Sequence, residues 1–147
     1  MLKSIINKLF KGKSNALSFQ QGFDLTELPI ITFKQGDTKL NFILDTGATN
    51  NVIDSNALPN IKYTPMNEVS TLFGLEGNVK PVQMCRLALS HKDFSFEYEY
   101  LINDLSAPFL QIKKESGVIL HGILGSKFFH KFQYVLDFSE LIAYSKK

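Results

Sequence analysis

A chain of 147 residues with 16 basic and 14 acidic side chains has the length of one domain and can bury a real core. Its net charge of +2 argues neither for nor against nucleic acid; it reads as ordinary solubility, and no nucleic-acid partner is expected. The single Cys85 excludes an intramolecular disulfide, and His91, His121 and His130 are too scattered to hold a metal. Neither a metal nor a cofactor is expected.

The first segment, residues 1–15, differs from the rest of the chain. Leu2, Ile5, Ile6, Leu9 and Phe10 fall at helical spacing among Lys3, Lys8, Lys11 and Lys13. Lys8 interrupts the apolar residues and no cleavage site comes after them, so the segment does not read as a signal peptide. It is also too short and too charged to span a bilayer. Packing on the domain or on a partner subunit is favoured over a basic amphipathic anchor on an anionic membrane surface. The expected location is cytoplasmic, with peripheral membrane association as the lesser option. Residues 16–27 are polar and mixed and read as a lead-in to a domain at 28–147.

From Leu28 a β-rich run reaches the turn-like Gln35-Gly36-Asp37-Thr38, and Lys39–Leu44 returns as a second strand. This hairpin delivers Asp45 into Asp45-Thr46-Gly47-Ala48-Thr49, after which Val52-Ile53 opens another strand. Gly with small polar neighbours marks a tight turn at Gly47. A carboxylate there is expected to be partly desolvated and to accept backbone N–H groups of the turn, an environment that gives an Asp chemistry. Asp54–Leu58 reads as a helical turn stopped before Pro59.

A second hairpin is expected over 67–89, its tip Phe73-Gly74-Leu75-Glu76-Gly77 supplying glycines where positive φ is needed. Cys85 falls in its return strand and reads as a buried structural thiol. After the turn His91-Lys92-Asp93, the residues Phe94, Phe96, Tyr98 and Tyr100 alternate with polar ones, giving a half-buried strand with one aromatic face. Ser106 is the expected N-cap of a helix with Pro108 in its first turn and Gly117 at its end. Ile123-Leu124-Gly125 then precedes a short helix, and two strands around Ser139-Glu140 close the chain. Asp137 reads as a turn residue, and His121 and His130 as core or surface histidines.

Three of these elements resemble the retropepsin-like aspartic proteases: Phe42-Ile43-Leu44-Asp45-Thr46-Gly47-Ala48-Thr49, the glycine-tipped hairpin, and Ile123-Leu124-Gly125 with its helix. The resemblance covers residues 28–145 in the family's order. It implies an all-β fold, mostly strand with one or two short helices: a closed β-barrel forming half of an acid protease, with a flap hairpin. It further implies Asp45 as catalytic carboxylate, Thr46, Gly47, Ala48 and Thr49 as its loop, and Phe73, Gly74, Leu75, Glu76 and Gly77 as the flap over substrate. Ile123, Leu124 and Gly125 are the motif beside that loop. Where retroviral enzymes place Arg and then Asn or Asp, this chain has Ser126-Lys127, a departure that bears on the subunit contact made there.

Hydrolysis by carboxylates needs two of them, and the chain holds one Asp-Thr-Gly. The resemblance therefore implies a homodimer acting as an aspartic endopeptidase on extended peptide or protein substrates. Two other readings remain: a catalytically silent retropepsin-like peptide-binding or regulatory module, and a β-rich structural protein in which Asp-Thr-Gly is coincidental.

Overall fold

Alternating apolar residues and short turns make strands the main regular element of the described residues. A computed structural model describes residues 16–73 and 79–147. Nine strands run as β1 (Ile30–Gln35), β2 (Thr38–Leu44), β3 (Val52–Asp54), β4 (Thr64–Phe73), β5 (Val79–His91), β6 (Phe94–Asn103), β7 (Gly122–Leu124), β8 (Tyr134–Asp137) and β9 (Ile142–Ser145). Helices α1 (Phe19–Thr26), α2 (Ser106–Ser116) and α3 (Ser126–Lys131) and a 3-10 turn at Ser55–Asn60 complete it. No helix among the described residues is long and apolar enough to cross a membrane. Residues 1–15 and the flap tip at 74–77 lie outside the described residues.

Seven strands pair in the order β1-β2-β7-β3-β6-β5-β4, and β1 also meets β5 through Lys34 and Ser90. That contact closes six strands into a barrel and leaves β4 paired to β5 alone, as the outer arm of the hairpin. Closure hides strand edges that would otherwise stay unpaired. Gly36, at φ +59, makes the left-handed turn of the β1–β2 hairpin that a side chain would disfavour.

The barrel interior is aromatic. Phe33, Phe42, Phe96, Tyr100 and Phe128 are fully buried, and Phe96, Phe128 and Phe132 meet edge to face with centroids 4.8 to 5.6 Å apart, the arrangement ring quadrupoles favour. The expected aromatic face of β6 holds except at its start, because Phe94 lies at the strand's open end and is exposed. Cys85 is completely buried, and burial pushes its thiol up to about 11, so it stays protonated and inert at neutral pH.

Four local expectations need correction. Residues 16–27 are not a bare lead-in: Phe19–Thr26 is helical, with Ser18 and Gln21 forming a reciprocal capping box. Gly22 lets this helix lie directly on β1, since a Cβ there would stand 2.5 Å from the Ile30 carbonyl oxygen. The cap of α2 is Leu105, not Ser106, and it is the Asp104 carboxylate that accepts the Ser106 N–H at 2.9 Å. Pro59 sits within the 3-10 turn rather than beyond it. The flap hairpin starts at Thr64, three residues earlier than its alternation suggests.

His91 ties the barrel to the β8–β9 hairpin. Its Nδ1 stands 3.3 Å from the Tyr134 hydroxyl and its ring packs on Phe33. Burial first, and then the Lys92 charge, lower its pKa from 6.5 to about 4. The unfolded chain therefore takes up this proton near pH 6.5, whereas the fold resists it until about pH 4, so stability falls as pH drops through that window. His121, also lowered by burial, acts in the same direction. His91→Gln is expected to flatten the pH dependence of the urea midpoint across this range. An unchanged slope would count against the assignment.

Candidate active site

The Asp45 loop hangs between the end of β2 and the start of β3, and β7 runs between those two strands. Ile43 and Leu44 pair with Ile123 and Leu124 in parallel, while Val52 pairs with Ile123 from the other side. The Asp45 N–H donates to the Leu124 carbonyl at 2.9 Å, so the carboxylate leaves the sheet where β7 gives way to α3. The first turn of α3 then grips the loop. Ser126 N–H donates to Ala48 O at 2.8 Å and Lys127 N–H to Thr49 O at 3.2 Å.

Gly125 makes that grip feasible. A Cβ on it would lie 2.7 Å from both the Ala48 and Asn50 carbonyl oxygens, well inside van der Waals contact. The absent side chain lets the backbone of the loop lie directly against the start of α3. Gly47 works differently. It is not among the glycines with positive φ; its Cβ position faces Asp45 Oδ1 at 3.3 Å, so a side chain would crowd the carboxylate.

Asp45 Oδ1 accepts the Gly47 N–H at 2.9 Å, as the turn requires. The expected partial desolvation is absent from the single chain. Asp45, Thr46 and Gly47 are all exposed, because the loop points away from its own barrel. The Thr46 hydroxyl has no hydrogen-bond partner among the described residues. Ala48 is half-buried and Thr49 exposed.

One residue that sequence reasoning missed holds the loop together. Asn51 is 2% exposed. Its Oδ1 accepts the Gly125 N–H at 3.0 Å and its Nδ2 donates to Glu99 O at 3.1 Å. Its own carbonyl accepts the Leu101 N–H at 2.9 Å, so a single amide joins the loop, β6 and the β7–α3 junction. Asn51→Ala would strand the buried Gly125 N–H and the part-buried Glu99 C=O, which is expected to cost about 2 kcal/mol. A denaturant midpoint unchanged from the parent would remove Asn51 from this role. Its only signal in sequence is a polar amide placed directly before an apolar strand, which reads equally as a turn residue.

The other aspartates are engaged elsewhere. Asp54, 6% exposed, accepts N–H groups from Asn56 and Leu105. Asp137 organises the β8–β9 turn, and hydrogen bonds from the Glu140 N–H and then Ser139 hold its carboxyl below the usual range. His121 accepts the Asn41 N–H at Nδ1, and His130 lies on the surface. Neither histidine is linked to Asp45 by a hydrogen bond.

Beside Asp45 the sheet presents an apolar row on the face opposite the aromatic core. Ile43, Ile123, Val52, Leu101 and Met84 are successive cross-strand partners, and directly paired residues project to the same face. Val52 and Leu101 are buried, while Ile43, Ile123 and Met84 stay half-exposed with Leu105 packed among them.

Residues 26–137 match the retroviral aspartyl protease family. This covers most of the 147 residues, and the chain belongs to that family, whose members are aspartic-type peptidases with a retropepsin-like β-barrel. No curated protein matches the chain.

Proposed function

We propose that the protein is an aspartic endopeptidase acting as a homodimer, with Asp45 of each subunit forming one carboxylate pair. The observation that carries this reading is the exposed Asp45 on a loop fixed at every backbone contact behind it. A lone exposed carboxylate is an ordinary surface acid. A rigidly aimed one gains chemistry when a second is brought against it in a site that excludes water. A twofold contact does this with one gene product, because an isologous interface sets like residues across the axis.

Within such a dimer the two carboxyls cannot both be charged, so they share a proton, as in the aspartic proteases. The ionised one takes a proton from the attacking water. The protonated one hydrogen-bonds the scissile carbonyl, and a proton then passes to the departing amine. Thr46, with its hydroxyl unpartnered in one chain, is free to bond across the axis. Thr49 and Ala48 would edge the channel, and the hairpin tip at Phe73 and residues 74–77, the latter outside the described residues, is the lid the family resemblance implies.

The apolar row beside Asp45 suits the side chains of an extended peptide, whose backbone would pair with flap and floor. Preference is therefore expected for apolar residues next to the cleaved bond. The outer face of β8–β9 carries Val135, Tyr144 and the exposed Ile142, which supports subunit association there rather than through Ser126-Lys127.

Incubating the purified full chain with an unfolded protein across acid to neutral pH tests the reading. Cleavage between apolar residues, blocked by a statine-type inhibitor, is expected from a particle of twice the chain mass by light scattering. A strict monomer that cuts nothing would leave the silent peptide-binding module in its place.

A further inference from the structure

We propose that a cavity at the barrel seam, remote from Asp45, binds a phosphate group. The cavity measures about 360 Å³ and opens where β1 and β5 part below their single pairing at Lys34 and Ser90. Ser18, Gln21, Lys34, Ser90, His91 and Lys92 line it. Lys34 pairs with Lys39 at the turn end of the β1–β2 hairpin, six residues before Asp45. At about 3.3 Å per residue this sets the Lys34 end of the cavity roughly 20 Å from the aspartate loop, with Thr32, opposite Asn41, at about 13 Å.

Its chemistry is one-sided. Two ammonium groups and the hydroxyl side chains of Ser18, Thr32 and Ser90 line it and no carboxylate does. Neither Lys34 nor Lys92 has an ion-pair partner among the described residues. His91 Nδ1 is occupied by the Tyr134 hydroxyl, which leaves Nε2 as the ring's remaining polar atom. Gln21 and Ser18 belong to the start of α1, where helix N–H groups add to the positive field. The lysines are compact charges on flexible stems, suited to a phosphate as point charges. The volume exceeds that of a bare anion and lies within the range of small-ligand sites, so a phosphomonoester fits better than a simple ion.

The side from which the chain reaches the barrel strengthens this. Ala16 lines the same cavity, and the fifteen residues before it carry Lys3, Lys8, Lys11 and Lys13 with no acid. A phosphate could come from a soluble phosphomonoester or from a lipid headgroup.

The test titrates inorganic phosphate into the full chain at fixed ionic strength while following the His91 ring resonances. Saturable movement is expected, weakened about tenfold or more in the Lys34→Gln/Lys92→Gln double variant and unaffected by Lys113→Gln/Lys114→Gln on α2. Far-UV circular dichroism confirms that each variant is folded. A parallel arm pellets the full chain with phosphatidic acid or phosphatidylcholine vesicles. Weaker pelleting of the first double variant on phosphatidic acid alone assigns the lipid headgroup. Equal pelleting beside the saturable phosphate response assigns the soluble ligand. A response linear in phosphate, together with vesicle binding indifferent to Lys34 and Lys92, overturns the proposal. Peptidase activity enters neither arm, so this outcome is separate from that of the protease reading.

Discussion

Asp45→Asn is expected to lower peptide cleavage by about 10⁴-fold or more while leaving the melting temperature and particle mass unchanged. The substitution is nearly isosteric, and the Asn side-chain oxygen still accepts the Gly47 N–H that now reaches Asp45 Oδ1 at 2.9 Å. The loop behind it depends on the Asp45 N–H to Leu124, on Ser126 and Lys127, and on Asn51, none of which involves the carboxylate. What disappears is a group able both to take a proton from water and to share one with its counterpart. In the proposed dimer, two amides facing one another would do neither. Retained cleavage in the purified variant would remove Asp45 from catalysis, and a lower melting temperature would mean that it has a structural role as well.

The second large effect is expected at Gly125. Gly125→Ala places a methyl 2.7 Å from two carbonyl oxygens, those of Ala48 and Asn50. Both obstacles are backbone and belong to the segment that α3 already holds, so neither can swing aside as a flexible side chain would. Relief requires the loop to separate from α3, with loss of the Asn51 Oδ1 to Gly125 N–H bond as well. Destabilisation of about 3–5 kcal/mol is expected from overpacking joined to a broken buried hydrogen bond. Any folded fraction should also lose activity, because the Asp45 loop is displaced with it. A variant that melts within about a degree of the parent and cleaves normally would show that the close approach is not required.

Much of this arrangement was legible because it is written in local pattern. Alternation in Phe94–Tyr100, the break at Gln35-Gly36 and the small residues after Asp45 each specify strand or turn from their immediate neighbours. The Ile123-Leu124-Gly125 run stood out because a glycine between an apolar strand and a helix has few uses besides close packing. The helix at Phe19–Thr26 carried a signal, Ser18 three residues before Gln21, but its mixed composition masked a face that is apolar only against β1. Ser106 misled for a related reason: the neighbouring Asp104 offers a better acceptor once α2 is docked. The signal at Asn51, an amide before an apolar strand, did not single it out, since both of its side-chain partners are backbone groups remote in sequence, Glu99 and Gly125.

By itself the sequence determined the strand order along the chain, the aspartate loop and the family to which both belong. These depend on short-range propensity and on a motif contained in eight consecutive residues. Only the tertiary structure decided that β1 closes on β5, that Asn51 clamps the loop and that Asp45 stands exposed to solvent. It alone assembled Ile43, Ile123, Val52, Leu101 and Met84 into one row, and Lys34 and Lys92 around one cavity. Such facts follow from pairing between strands far apart in the chain, where register rather than local preference chooses which side chains meet.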